Sequence, residues 1–152
     1  MISLHEVILI TTVAVKMNPQ TVIDESRPML TEFLQDVGLH REGDDLDLAA
    51  MLEPFSRWVA EQTVEEEDRF YLASRLGAFI CEFLIDNHSA ERQIEGKHIL
   101  IRISNADSFV RCFDPYAVAL GIADGQGTLA DFLYTLIASD DATVQQDAAP
   151  NP

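Results

Sequence analysis

Basic residues are scarce in this sequence, and their scarcity excludes two classes of partner. Lysine and arginine number 10 among 152 residues, against 26 aspartates and glutamates, so the formal net charge is −16. Such a chain repels nucleic acid phosphates, whose binding needs lysine and arginine to replace counterions. It also repels anionic membrane surfaces. The charge favours a basic protein partner and speeds encounter with it, whereas the alternative is that acidity only keeps the protein soluble.

Cysteine is also scarce, which excludes a disulfide framework and a cysteine-based zinc site. The two cysteines, Cys81 and Cys112, are far apart and have no second pair. We interpret both as small buried apolar residues in a reduced compartment, as in a cytoplasmic protein. The sequence leaves a single Cys81–Cys112 disulfide as the alternative.

No hydrophobic run is long enough to span a bilayer. Residues 7–15 (VILITTVAV) are apolar and β-branched, which favours a strand. Neither the basic start nor the cleavage site of a secretory signal accompanies them. Residues 1–16 are therefore predicted to be an N-terminal strand, or alternatively an extension upstream of a true start at Met17.

Catalytic motifs are absent as well. The glycines of residues 121–127 precede a helix but no lysine follows them, so this is no P-loop. The chain has no H-E-x-x-H, G-x-S-x-G or C-x-x-C motif. Asp86, His88 and His98 could meet at a helix-to-strand junction, although chance proximity of polar loop residues is the favoured interpretation. We therefore predict no catalytic residue, no metal and no cofactor, and a protein that is not an enzyme.

What the sequence does contain is a series of helical patterns. The first is expected to start at Ser26, with Pro28 in its first turn, and to end at Gly38. A second runs over residues 48–59, where Pro54 predicts two short pieces or one kinked helix.

The third helical pattern is the clearest. Thr63 and Glu66 form a T-x-x-E capping box, which predicts the helix start. Residues 76–85 (LGAFICEFLI) are apolar almost all the way round, as in a helix covered on most sides. Glu82 is the one charge in this stretch, and we expect it at the solvated edge.

The second half of the chain adds strands and then two more helices. Alternating residues 99–103 and the return segment 109–113 predict a hairpin, and residues 92–95 predict a third strand that ends at Gly96. Helix starts are expected at Asp114-Pro115 and at Thr128.

These elements predict an α+β fold in which a helical layer surrounds a central apolar helix packed on a small antiparallel sheet. We expect a single domain over residues 17–138. The polar residues 139–152 are expected to form a disordered tail.

Acidic clusters are the one feature left that suggests a binding surface. We expect them near the ends of the second and third helices, where they could together form a negative surface. The alternative interpretation is a solvated helix start and a polar loop. The candidate partner-binding residues are Glu42, Asp44, Asp45, Asp47, Glu61, Glu65, Glu66, Glu67 and Asp68.

A distant resemblance supports the same idea. The helix LASRLGAFICEFLIDN, followed by FDPYAVAL and by GTLADFL, resembles small acidic bacterial proteins of the toxin-immunity type over residues 71–137. The resemblance implies a cytoplasmic, non-enzymatic protein that presents an acidic surface to a basic toxin and neutralises it. It assigns no residue a role. The alternative from another class is a structural or adaptor protein that forms a homodimer through a sheet edge.

Overall fold

The computed structural model describes the backbone of residues 18–104 and 110–148, and the side chains of residues 18–104 and 111–138. The strand predicted in residues 7–15 lies outside this part of the chain. Five α-helices and three strands form within it, which confirms the α+β class. None of these helices has both the length and the apolar character needed to cross a bilayer. In chain order the elements are α1 (Pro19–Asp36), α2 (Leu48–Glu61), α3 (Arg69–Asn87), β1 (Ala90–Glu95), β2 (His98–Ser104), β3 (Val110–Phe113), α4 (Pro115–Ala123) and α5 (Leu129–Ala148).

Helix α3 is the centre of the fold, as its sequence predicts. Its residues are buried without interruption from Leu76 to Leu84. Helices α1 and α2 reach it through an aromatic group in which Phe33 contacts Phe55 (ring centroids 6.1 Å apart) and Phe55 contacts Phe79 (5.0 Å). Burial of these rings supplies much of the stabilisation that joins the three helices.

The predicted start of α1 at Ser26 is wrong. The helix begins at Pro19, and the side chain of Asn18 caps it by accepting a hydrogen bond from the Gln20 amide (2.8 Å). Pro28 therefore lies inside the helix, where it removes one backbone hydrogen bond. The apolar face of Leu30, Phe33 and Leu34 packs in the core and offsets that loss. Gly38 follows the helix end with φ of 82°, as predicted for a terminating glycine.

The predicted capping box at Thr63 does not form. The flanking residues Gln62 and Glu65 are extended, a 3₁₀ turn follows at Glu66–Asp68, and α3 begins only at Arg69. Neither the 3₁₀ turn nor α3 has a side-chain hydrogen bond that caps its first residues. Pro54 does not divide α2 into the two pieces that were one of the predicted alternatives, because α2 is one helix from Leu48 to Glu61 with Pro54 inside it.

The sheet has the order β1-β2-β3 and is antiparallel throughout. Gly96, at φ of 64°, makes the turn between β1 and β2. The alternation predicted for β2 is confirmed, since Ile99, Ile101 and Ile103 are all buried. The residues of alternate register form an outer face, where Leu100 is half-buried. We define the exposed part of this outer face as Glu91, Gln93, Glu95, His98, Arg102 and Cys112.

Both cysteines are free thiols, so the alternative of a Cys81–Cys112 disulfide is not realised. Cys81 is buried in α3, whereas Cys112 is exposed on the outer face of the sheet. The interpretation of both as buried residues is therefore correct for Cys81 and wrong for Cys112.

The last two helices begin where their caps predict. Asp114 accepts hydrogen bonds from the amides of Tyr116 (2.9 Å) and Ala117 (3.1 Å), and Thr128 accepts one from the Asp131 amide (3.2 Å). Helix α5 differs from expectation at its other end. Its backbone continues to Ala148, so the first ten residues of the predicted tail, 139–148, are helical.

Candidate functional site

The first acidic cluster occupies the loop between α1 and α2. Its four carboxylates, Glu42, Asp44, Asp45 and Asp47, are all exposed. Asp47 also caps α2, because its side chain accepts a hydrogen bond from the Ala50 amide (3.2 Å). Asp47 therefore lies at the positive end of the α2 dipole, where negative charge is stabilising. Part of this acidity therefore has a structural use, and the rest faces solvent.

The second acidic cluster begins at the last residue of α2 and ends before α3. Glu61, Glu65 and Glu66 are exposed, whereas Glu67 and Asp68 are half-buried. The two clusters thus lie at opposite ends of α2, near the helix ends as predicted. That helix has 14 residues, so the clusters are about 20 Å apart at about 1.5 Å per residue. They are two separate patches joined by one helix.

Charge is distributed unevenly along the chain. Residues 18–68, which contain α1, α2 and both clusters, carry fourteen carboxylates and three arginines, a net charge of −11. Residues 69–104, which contain α3 and the first two strands, carry four carboxylates and five cations, a net charge of +1. The acidity therefore belongs mainly to the first two helices and the loops around them.

Few of the acidic side chains in the described chain are neutralised by ion pairs. The pairs join Arg27 to Asp86, Arg69 to Asp124, and Arg92 to Glu82. Apart from Asp68, which has an interaction of its own, no carboxylate of the two clusters takes part in an ion pair within this part of the molecule. Eight of the nine predicted residues therefore form no ion pair within the described chain, although Asp47 caps α2 and Glu66 interacts electrostatically with Arg69.

An apolar groove of about 280 Å³ opens beside the second cluster. It lies between the last turn of α2, the extended link that follows, and the loop that joins α4 to α5. Its apolar lining consists of Val59, Ala60, Val64, Ile122, Ala123 and Leu129. No local sequence pattern predicts this groove, because two stretches distant in sequence, residues 56–64 and 122–129, form it together.

A buried polar group on α1, α3 and β1 was also missed. Glu82, expected at the solvated edge, is instead buried, with its carboxylate 3.2 Å from Arg92 Nη2. The same Nη2 donates a hydrogen bond to Ser26 Oγ (3.0 Å), and Ser26 is itself buried. Alternation along β1 places Arg92 on the inward face with Ala90, which is the one sequence signal that could have located it.

The site considered for Asp86, His88 and His98 does not assemble. Asp86 pairs with Arg27, and the His88 ring packs against Phe83 (5.8 Å between centroids). His98 lies opposite Glu95 in the register of β1 and β2, at the turn end of the hairpin. Asp86 and His88 are near Ala90 at the other end of β1, and the length of that strand separates His98 from Ala90 by roughly 16 Å. Within the described residues, no group of histidine, cysteine or carboxylate side chains is arranged to hold a metal ion.

Comparison with protein-family models, with curated proteins and with solved structures found no match for this chain.

Proposed function

We propose that this protein is a non-enzymatic binding protein that holds a basic protein partner on the acidic surface around α2. One observation carries the proposal. The segment that holds both clusters has a net charge of −11, and eight of the nine cluster carboxylates have no ion-pair partner in the described chain. Exposed charges of one sign attract an oppositely charged partner over a distance and accelerate its association.

The geometry suits a partner that spans α2. A typical specific interface covers about 800 Å² on each partner, which is wide enough to reach both clusters about 20 Å apart. Between them α2 exposes small side chains, among them Ala49, Ala50 and Ala60. A basic surface could therefore approach the helix closely while its lysines and arginines meet carboxylates at each end.

The partner that we propose is a basic toxin, in which case the protein acts as an immunity protein in the cytoplasm. Support for this narrower proposal comes from the resemblance of residues 71–137 to toxin-immunity proteins and from the −16 charge. Inhibition would need only that the bound protein cover the toxin's own active surface, with no bond made or broken.

Charge-neutralised variants test the proposal against a matched control. We would isolate the partner by affinity capture from the native host and measure its dissociation constant at low and high salt. Glu61→Gln with Glu65→Gln, and separately Asp44→Asn with Asp45→Asn, should weaken binding at low salt and reduce its salt dependence.

The control, Glu91→Gln with Glu95→Gln, removes the same two charges from the outer face of the sheet and should leave affinity nearly unchanged. Equal losses in the cluster and control variants would show that only overall charge matters and would contradict an acidic site at α2. Binding that is insensitive to salt would contradict it too.

A homodimer formed through the sheet edge is the second candidate, favoured by one observation. Ile94 on the edge strand β1 is 43% exposed, which is unusual for a large apolar side chain. Charged neighbours Glu91 and Glu95 on the same strand oppose such pairing. Light scattering decides between the two: a mass near 17.0 kDa supports the monomer, and twice that mass supports the dimer.

A further inference from the structure

We propose that the groove beside the second acidic cluster receives one aliphatic side chain from a basic segment of the partner, with lysine or arginine on either side of it. This inference rests on the proposed function and names the contact that fixes the partner's position. The groove, at about 280 Å³, lies just below the range of about 300–1,000 Å³ typical of small-molecule sites. A cavity of about 150 Å³ already holds a benzene molecule, so the groove has room for an aliphatic side chain.

The floor of the groove is apolar, while Ser56, Gln62 and Thr128 add polar side chains to its lining. Val59, Ile122 and Leu129 are buried and form its floor. Ser56 Oγ accepts a hydrogen bond from the Ala130 amide (2.9 Å), and Thr128 Oγ1 accepts one from the Asp131 amide (3.2 Å). On this floor a polar group would lose hydrogen bonds to water without replacing them, whereas an aliphatic side chain would gain by leaving water.

Three exposed carboxylates are close in sequence to lining residues of the groove. Glu61 follows the lining residue Ala60, Glu65 follows the lining residue Val64, and Asp131 lies in the first turn of α5, two residues after the lining residue Leu129. These three carboxylates have no ion-pair partner in the described chain. Arg57, next to the lining residue Ser56, adds one positive charge.

Asp124, between the lining residues Ala123 and Gly125, is already held by Arg69 through two hydrogen bonds. The unpaired charges on residues next to the groove lining are therefore mainly negative. An aliphatic side chain flanked by cations is complementary to these charges and to the apolar floor at once. Interfaces draw much of their energy from such buried anchors surrounded by polar contacts.

Two short synthetic peptides test the inference. One has a central leucine flanked by lysines, and its twin has asparagine in place of that leucine. We would measure the affinity of each by fluorescence anisotropy with the full chain at low and at high salt. The leucine peptide should bind roughly tenfold more tightly, since burial of a leucine side chain is worth at least that factor. Both peptides should lose affinity alike when salt is added.

Two tryptophan variants locate the contact. Ala60 lines the groove and is exposed, so Ala60→Trp should fill the groove without disturbing the core. It should reduce the affinity of the leucine peptide to that of its twin. Ala49→Trp, at an exposed position in the first turn of the same helix, is the matched control and should change neither affinity.

Each contrary result overturns the inference. Equal affinity of the two peptides would show that no apolar side chain is received, while salt-sensitive binding would still support the acidic surface. A leucine preference that survives Ala60→Trp would place the apolar contact elsewhere. Self-association abolished by Ala60→Trp would make a second copy of the chain the occupant. Failure of the proposed function itself is recognised separately, by its own cluster and control variants with the native partner.

Discussion

At the scale of single residues, the buried ion pair between Glu82 and Arg92 is the most sensitive point of the fold. Their side chains are only 7% and 12% exposed. We expect Glu82→Ala to lower the free energy of unfolding by about 3 kcal/mol, because it leaves the arginine buried without its counter-charge. Urea unfolding followed by circular dichroism measures the loss.

Two further variants show whether burial is the cause. Glu82→Leu combined with Arg92→Leu should recover most of the lost stability, since aliphatic side chains replace both buried charges. Glu91→Gln on the outer face should stay within about 0.5 kcal/mol of the wild type. A Glu82→Ala protein as stable as the Glu91→Gln protein would contradict the structure at this position.

Gly77 is required where α4 crosses α3. A Cβ atom there would lie 2.4 Å from Tyr116 Cδ1 and 2.6 Å from Cε1, closer than atoms can approach. We expect Gly77→Ala to destabilise the protein by about 1–3 kcal/mol despite the better helix propensity of alanine. Gly121 in α4 is the matched control, because its nearest neighbour is the mobile end of the Gln126 side chain at 3.2 Å. Thermal unfolding should show a clear loss for Gly77→Ala and little change for Gly121→Ala; the reverse order would be inconsistent with this packing.

Burial of Cys81 makes the free energy of unfolding decrease as the pH rises into the alkaline range. Burial raises the pKa of its thiol from the ordinary 9.0 to about 12. Above pH 9 the unfolded chain ionises this thiol while the folded chain keeps it protonated. The contribution of Cys81 to the free energy of unfolding is therefore complete below pH 9. It declines from pH 9 to about pH 12, by at most about 1.4 kcal/mol per pH unit.

Urea unfolding at a series of pH values measures this decline, and Cys81→Ala should make the curve flatter between pH 9 and 10. Burial also raises the pKa of Tyr116, which adds a loss of the same sign above pH 10. A wild-type curve that is already flat from pH 9 to 10 would show that the thiol is not buried as described.

At the scale of elements, helix starts separate into those with a cap and those without. Asp114 accepts hydrogen bonds from two amides of the first turn of α4, so Asp114→Ala should cost about 1 kcal/mol. Thr63 caps no helix, because α3 begins only at Arg69. Thr63→Ala should therefore change stability by less than about 0.5 kcal/mol. Chemical denaturation of both variants gives the comparison, and a larger loss for Thr63→Ala would restore the capping box that the sequence suggested.

The two mispredicted helix starts have different causes. Ser26-Arg27-Pro28 has the local chemistry of a start, yet the side chain of Asn18 caps α1 upstream of it and Pro28 lies inside the helix. Thr63-x-x-Glu66 has that chemistry too, yet Gln62 and Glu65 are extended and α3 begins only at Arg69. A cap contributes only about 1 kcal/mol, so a capping motif by itself does not decide where a helix begins.

At the scale of the whole molecule, the net charge of −16 opposes the compact state through self-repulsion. Salt screens repulsion between exposed charges. We therefore expect the urea midpoint of unfolding to rise as sodium chloride is added. Asp44→Asn with Asp45→Asn should reduce this rise, because it removes two charges from the most acidic segment. A midpoint that falls with salt would show that favourable charge contacts outweigh the repulsion.

The amino-acid sequence by itself determined the α+β class, the central position of α3, the alternation of β2 and the capped starts of α4 and α5. Each follows from local periodicity or from one side chain's bond to a nearby amide, which neighbours in sequence suffice to set. Only the tertiary structure decided that Arg92 contacts both Glu82 and Ser26, and that an apolar groove opens beside the second acidic cluster. These features join segments distant along the chain, and their relative placement depends on how the helices pack, which no local pattern records.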